Sequence, residues 1–264
     1  MSGNVVELVG FVSTHFHFCW LSRIAEPPYR RPYSSLMVEP CPHLQILRVN
    51  DLILTRIQHN CQEVGLLGCK DVLIYNHGFP DSSVIPTALK DYAAVAESGA
   101  SVPLDGYFSS RLPRKWCEYV MKHLRDAAFV AFNTRGVPGS SSMELEKVET
   151  APPEFEKKTL TGDLEDISAI SSLMRQKCPN ARITVCGMST GAFLALAFAA
   201  RQDLHPLGGI AGCITLACVE DIPSSAPLDF SEEQRASFES QGFCLKEFFP
   251  HGADNNPQMY GVCD

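Results

Sequence analysis

Ile183-Thr184-Val185-Cys186-Gly187-Met188-Ser189-Thr190-Gly191, running on into the apolar stretch Ala192–Ala200, is the segment that decides the fold. Its first four residues read as a buried strand and its last nine as a helix, so Ser189 falls on a sharp strand-to-helix turn. Such a turn forces the serine backbone into an unfavourable conformation and lifts the hydroxyl out of the sheet as a nucleophile. Two residues before and two after, glycines remove side chains that would collide with the neighbouring strand and helix.

The flanking sequence repeats strand and helix signals. His43–Val49 and Leu52–His59 read as a hairpin around Asn50-Asp51. Val72–Tyr75 is a short buried strand that ends in Asn76-His77-Gly78-Phe79-Pro80-Asp81, and residues 85–98 look helical. Trp116, Val120, Met121 and Leu124 recur at helical spacing. Ala127–Phe132 is the next strand, closed by Asn133-Thr134-Arg135-Gly136, with Gly139 and three serines in the loop beyond. Leu164, Ile167, Ile170, Leu173 and Met174 form a helix stripe; Asp163, Glu165 and Asp166 are assigned to its first turn, where the helix dipole favours acids. Ile210–Cys218 is a further strand, Ser231–Ser240 a polar helix, and Cys244–Phe249 a short hairpin strand or an apolar lid segment. Short apolar strands alternating with helices specify an α/β fold, a mostly parallel sheet covered on both faces.

Composition sets the class. The chain has 264 residues, 45 % apolar and 20 % charged, with mean hydropathy −0.02, as expected of a folded core. A formal net charge of −8 excludes a general nucleic-acid or anionic-membrane surface. Arg30-Arg31 and Arg111 to Lys115 read as solvated faces. Eleven cysteines without a Cys-x-x-Cys pair read as reduced, buried thiols, which places the protein in the cytoplasm. The apolar stretches Val5–Val12 and Phe16–Leu21 lack a basic leader and are interrupted by His15 and His17, so no signal peptide is expected. No stretch reaches membrane-spanning length. Residues 1–42, punctuated by five prolines, read as an N-terminal arm, 43–220 as the core, and 221–264 as a partial lid.

Three motifs, each after an expected strand, resemble the α/β-hydrolase superfamily, particularly its serine aminopeptidase and proline iminopeptidase-like branch. They are His77-Gly78-Phe79-Pro80-Asp81-Ser82-Ser83, Asn133-Thr134-Arg135-Gly136 through Gly139 and Ser140, and Gly187–Gly191. The resemblance implies a serine hydrolase that cleaves a carboxylic ester or peptide bond of a small-molecule or peptide substrate through an acyl-enzyme on Ser189, with no organic cofactor or metal. It implies an oxyanion hole from the N–H groups of Thr190 and Phe79, with His77 and Gly78 supporting the loop. Arg135 would tie the loop after the fourth strand to nearby carbonyls or carboxylates.

The triad partners depart from the family order, in which an acid and a histidine follow two further strands. After Cys218 come 46 residues without a convincing pair of apolar strands, so the last strands are expected to be missing and the chain to end inside a lid. The substitutes that preserve chain order are Asp221 as acid and His251 as base. His205 reads as a helix-terminal residue, and His15 and His17 as ordinary residues without a third ligand. Glu232 and Glu233 are weak candidates to receive a substrate ammonium, their plainer reading being a solvated helix turn. A sheet stopping at the sixth strand exposes an edge, which an oligomer would cover. A catalytically inactive scaffold that binds a ligand or protein is the second reading. A dinucleotide-binding domain fails, because no Gly-x-Gly-x-x-Gly follows the first strand.

Overall fold

Asn50 and Asp51 adopt left-handed φ angles of 52° and 58°, a conformation these two residue types tolerate, and so close a hairpin. The hairpin joins β1 (His43–Val49) to β2 (Ile53–His59). A computed structural model describes residues 43–62, 64–78, 82–98, 106–137, 140, 158–219, 227, 230–241, 244–248 and 258–262. The arm assigned to residues 1–42 lies outside them.

β2 pairs antiparallel with β4 (Ala127–Asn133). From β4 the sheet continues in parallel through β3 (Asp71–Asn76), β5 (Arg182–Met188) and β6 (Gly212–Leu216), giving the order β1-β2-β4-β3-β5-β6. β4 is buried at every position because it has a strand on either side and helices on both faces. Alternate residues feed two cores, as the two-residue period of a strand requires. Tyr75, Phe129 and Cys186 pack on the face covered by α1 (Ala88–Ser98) and α2 (Arg111–His123), with Val120 among them. Ile74, Val130, Phe132 and Val185 pack on the other face against α3 (Leu160–Lys177) and α4 (Thr190–Ala200), where Ile167, Ile170 and Phe198 are fully buried. The parallel strands all end on one edge of the sheet, the edge where open α/β sheets place their ligands.

Beyond β6, α5 (Glu232–Gln241) opens with a reciprocal cap. The Ser231 hydroxyl accepts from the N–H of Gln234 at 3.2 Å, while the Gln234 side-chain oxygen accepts from the N–H of Ser231 at 2.9 Å. Glu232 and Glu233 stand exposed in that first turn, so the solvated-turn reading holds. β7 (Cys244–Phe248) pairs antiparallel with β8 (Gln258–Val262) as a separate two-stranded sheet. The sequence pointed to β7 but not to its partner, because Gln258–Val262 is short and interrupted by Gly261. Among the described residues β6 is an edge strand, with Ile214 39 % exposed. No described helix is long and apolar enough to cross a membrane.

Candidate active site

Ser189 links β5 to α4 with φ 55° and ψ −126°, a left-handed backbone that costs a non-glycine residue on the order of 1–3 kcal/mol. Backbone crowding explains how it is held. A β-carbon on Gly187 would lie 2.2 Å from the Gly191 carbonyl oxygen, and one on Gly191 would lie 2.2 Å from the His77 carbonyl oxygen. Strand, helix and the end of β3 therefore approach at main-chain contact distance, as expected from the sequence. The Asn76 side-chain amide donates to the Gly191 carbonyl at 3.3 Å, and the Ser189 N–H donates to Leu216 on β6 at 3.0 Å. The amide of Ser189 is thus engaged. That of Thr190, the first helical residue, has no acceptor within its own helix and sits at the positive end of α4.

Gly78 brings the loop after β3 against Ser189. A β-carbon there would lie 3.0 Å from the Met188 carbonyl oxygen and 3.2 Å from the Ser189 β-carbon. His77 braces the loop. Its Nδ1 donates to the Gly78 carbonyl at 2.9 Å, which leaves Nε2 to accept from the Thr134 N–H at 3.3 Å. Burial pushes its pKa down to about 4, so the ring is neutral near pH 7 and both nitrogens are occupied. His77 is a support, not a base.

The loop after β4 is tied in the same manner. The Asn133 side-chain oxygen accepts from the N–H groups of Ser83 (2.7 Å) and Val84 (2.9 Å), and its amide donates to the Val84 carbonyl at 2.7 Å. Arg135 donates to the fully buried Asp166 from its N–H at 2.7 Å and from Nε at 2.8 Å, and pairs at 3.3 Å with Glu165. Lys158 donates to the Thr134 hydroxyl at 2.6 Å and pairs with Asp163, whose carboxyl burial pushes up against the pull of that ammonium. Asp163 lies in the first turn of α3, as expected from the sequence, and both it and Asp166 are buried against Lys158 and Arg135. Glu165 and Asp166, assigned to the same turn, lie beyond it, because α3 begins at Leu160.

The Ser189 turn thus follows the fifth strand of a sheet ordered β1-β2-β4-β3-β5-β6, between two glycines it could not exchange. This is the α/β-hydrolase fold. No protein-family model matches the chain, and no curated protein matches it. Among solved structures it is similar to an Agrobacterium vitis protein described as a hydrolase, at 14 % identity and TM-score 0.45, over 83 % of this chain and 68 % of that one. It is also similar to a proline iminopeptidase-related protein of Thermus thermophilus, at 18 % identity and TM-score 0.38, over 70 % and 48 %. A carboxyl esterase of Bacillus coagulans is similar at 13 % identity and TM-score 0.40, over 77 % and 52 %. The chain spans 48–68 % of the length of these three proteins.

Among the described residues no histidine hydrogen-bonds the Ser189 hydroxyl. His205 lies past the far end of α4 with Nε2 2.9 Å from the Phe198 carbonyl oxygen, a helix-terminal role as expected. Phe79, Asp221 and His251, assigned as second oxyanion donor, acid and base, lie outside the described residues, as do His15 and His17. A groove of about 210 Å³ opens beside α2 between Trp116, Tyr119, Leu124, Thr184 and Ile214. It also touches Asp71, at the opposite end of β3 from Gly78, so it is no part of this site. Also at that opposite end are His59, Cys61 and Cys69, the described residues with metal-ligating proximity. The sequence reading passed over them, because the only signals were His-x-Cys and a third ligand eight residues on.

Proposed function

We propose that the chain is a serine hydrolase that cleaves a carboxylic ester or amide bond through an acyl-enzyme on Ser189. The observation that carries the reading is the strained Ser189 backbone at the head of α4, clamped by main-chain atoms of β3 and α4. A purely structural turn has no need of a serine held at φ 55°. In the reaction the Ser189 hydroxyl gives its proton to a base as Oγ bonds to the carbonyl carbon. The Thr190 N–H, with that of Phe79, stabilises the resulting oxyanion. The base returns the proton to the departing alcohol or amine, and water then hydrolyses the acyl-enzyme by the same route. His251 serves as base and Asp221 as acid, in family order. With Glu232 and Glu233 solvated, the aminopeptidase branch has no anchored ammonium receptor in α5, which favours an ester substrate.

The free, buried thiols suit a reducing compartment, the cytoplasm. The β6 edge, unpaired among the described residues, suits a second copy of the chain. The second reading, an inactive scaffold, is favoured by the lack of any histidine on Ser189 among the described residues. Fluorophosphonate labelling of the purified chain, with Ser189→Ala alongside and the adduct mapped by mass spectrometry, separates the two. Labelling confined to Ser189 is expected; a folded chain that stays unlabelled means the inactive scaffold.

A further inference from the structure

We propose that His59, Cys61, Cys69 and Cys178 form a closed tetrahedral site for one thiophilic divalent cation of the zinc type. The site would join the β2–β3 connection to the α3–β5 connection.

The four residues converge from distant parts of the chain. β2 delivers His59, and Cys61 follows two residues on. The short helical turn Gly65–Gly68 brings the chain back, so that Cys69 stands just before β3. Cys178 caps the C-terminus of α3. All four are at most 3 % exposed. The donor atoms of His59, Cys61 and Cys69 lie within 4.8 Å of one another, with the Cys61 and Cys69 sulfurs 3.0 Å apart, and Cys178 is buried in the same core cluster. A zinc ion with sulfur ligands at about 2.3 Å and nitrogen at about 2.0 Å needs its donors roughly 3.5–3.8 Å apart, so shifts of about 1 Å set the first three at corners of a tetrahedron, and the Cys178 side chain would turn in from the end of α3 as the fourth.

A second observation points to a ligand. His59 Nδ1 is buried without a hydrogen-bond partner among the described residues. Buried polar atoms are almost always satisfied, and a cation bound by this nitrogen supplies what is missing. Three thiols packed only as small apolar groups would leave it orphaned.

The backbone carrying the ligands is fixed beforehand. Between His59 and Cys61, Asn60 donates its N–H to the Ala127 carbonyl at 3.1 Å, and its side-chain oxygen accepts the Ala127 N–H at 2.8 Å. The Cys69 N–H bonds Leu66 at 3.1 Å, and the Cys178 N–H bonds Met174 at 2.7 Å. His43 stacks on the His59 ring at 4.9 Å and limits its rotation. Binding replaces thiol protons, which pass to solvent, with metal–sulfur bonds.

Three sulfurs and one imidazole fill all four positions, the pattern of a structural rather than a catalytic metal. Position agrees. β3 separates the cluster from the nucleophile turn by its six residues, roughly 20 Å at about 3.3 Å per residue.

Cobalt(II) titration of the full-length reduced chain under argon tests the proposal. Saturation at one equivalent is expected, with thiolate-to-cobalt charge-transfer bands and intense tetrahedral visible bands that zinc abolishes. Cys69→Ser and Cys178→Ser should weaken binding at least tenfold, while Cys117→Ser, in the opposite core, should leave it unchanged. A wild-type chain folded by circular dichroism that gives no such bands would overturn the proposal, whatever the variants do. So would a Cys61–Cys69 disulfide that persists through reduction, or a cobalt spectrum unaltered in a folded Cys69→Ser.

Discussion

Replacing Gly191 by alanine adds one methyl group where the structure has no room for it. The new β-carbon would lie 2.2 Å from the His77 carbonyl oxygen, 2.5 Å from that of Asn76 and 2.7 Å from the His77 carbonyl carbon. All three neighbours are main chain, so no rotamer change relieves the clash. The end of β3 and the start of α4 must separate by about 1 Å to restore a normal contact. Overpacking of this kind costs about 1–3 kcal/mol, here towards the upper end. The opening also strains the Asn76 to Gly191 hydrogen bond, worth about 1 kcal/mol. Alanine's better helix propensity returns up to about 1 kcal/mol, because Gly191 lies in the first turn of α4. The net expectation is a destabilisation of about 2–3 kcal/mol, or roughly 5–10 °C in Tm for a domain of this size. Thermal unfolding by far-UV circular dichroism measures it, and fluorophosphonate labelling of Ser189 should fall as the turn opens. Gly65→Ala is the control. Its φ of +57° is left-handed but nothing lies within 4 Å, so backbone strain alone applies, about 1–2 kcal/mol. A Gly191→Ala protein that melts within about 2 °C of wild type would refute the reasoning.

Three further outcomes are expected. Asn133→Ala removes the acceptor of two buried N–H groups and the donor to Val84, which should lower urea stability by about 3 kcal/mol; a loss under about 1 kcal/mol would mean those groups find other partners. Arg135→Met leaves the buried Asp166 carboxylate with only the main-chain N–H of position 135 and no cation, at a cost of about 2 kcal/mol given that Arg135 is about a third exposed. The double variant Arg135→Met/Asp166→Leu should recover part of that loss, and a simple sum of the two single effects would show that the pair is not coupled. His77 has its pKa lowered from 6.5 to about 4, so the unfolded chain takes up a proton there that the folded chain refuses. Its contribution is present above about pH 6.5 and is lost as pH falls towards about 4, on the order of 3 kcal/mol in all. Urea titrations across that range should show a slope that His77→Gln flattens; equal slopes would reject neutral burial of the ring.

What could be read without coordinates was what neighbours in sequence determine. Asn50-Asp51 announced its hairpin because those residues tolerate φ above zero. Gly187 and Gly191 announced the turn because their spacing from Ser189 reflects one local collision. Arg135 was correctly assigned a tying role, yet its partner was not, because Asp166 lies 31 residues on and looked like any acid near a helix start. Asn133 showed the same limit. Its bonds reach back 49 and 50 residues to a loop that only the parallel pairing of β3 with β4 brings near. His59 and Cys69 are brought together by the short helical turn Gly65–Gly68, which no periodicity in the sequence announces.

The seat of Ser189 is lined by carbonyl oxygens of Asn76, His77, Met188 and Gly191, and by β-carbons that are not there. Main-chain atoms are the same whatever the side chains attached to them. The walls around the hydroxyl can therefore be rewritten, by drift or by an engineer, without displacing it, provided Gly78, Gly187 and Gly191 are kept. A library that randomises the half-buried positions near the turn and spares those three glycines should yield mostly folded proteins.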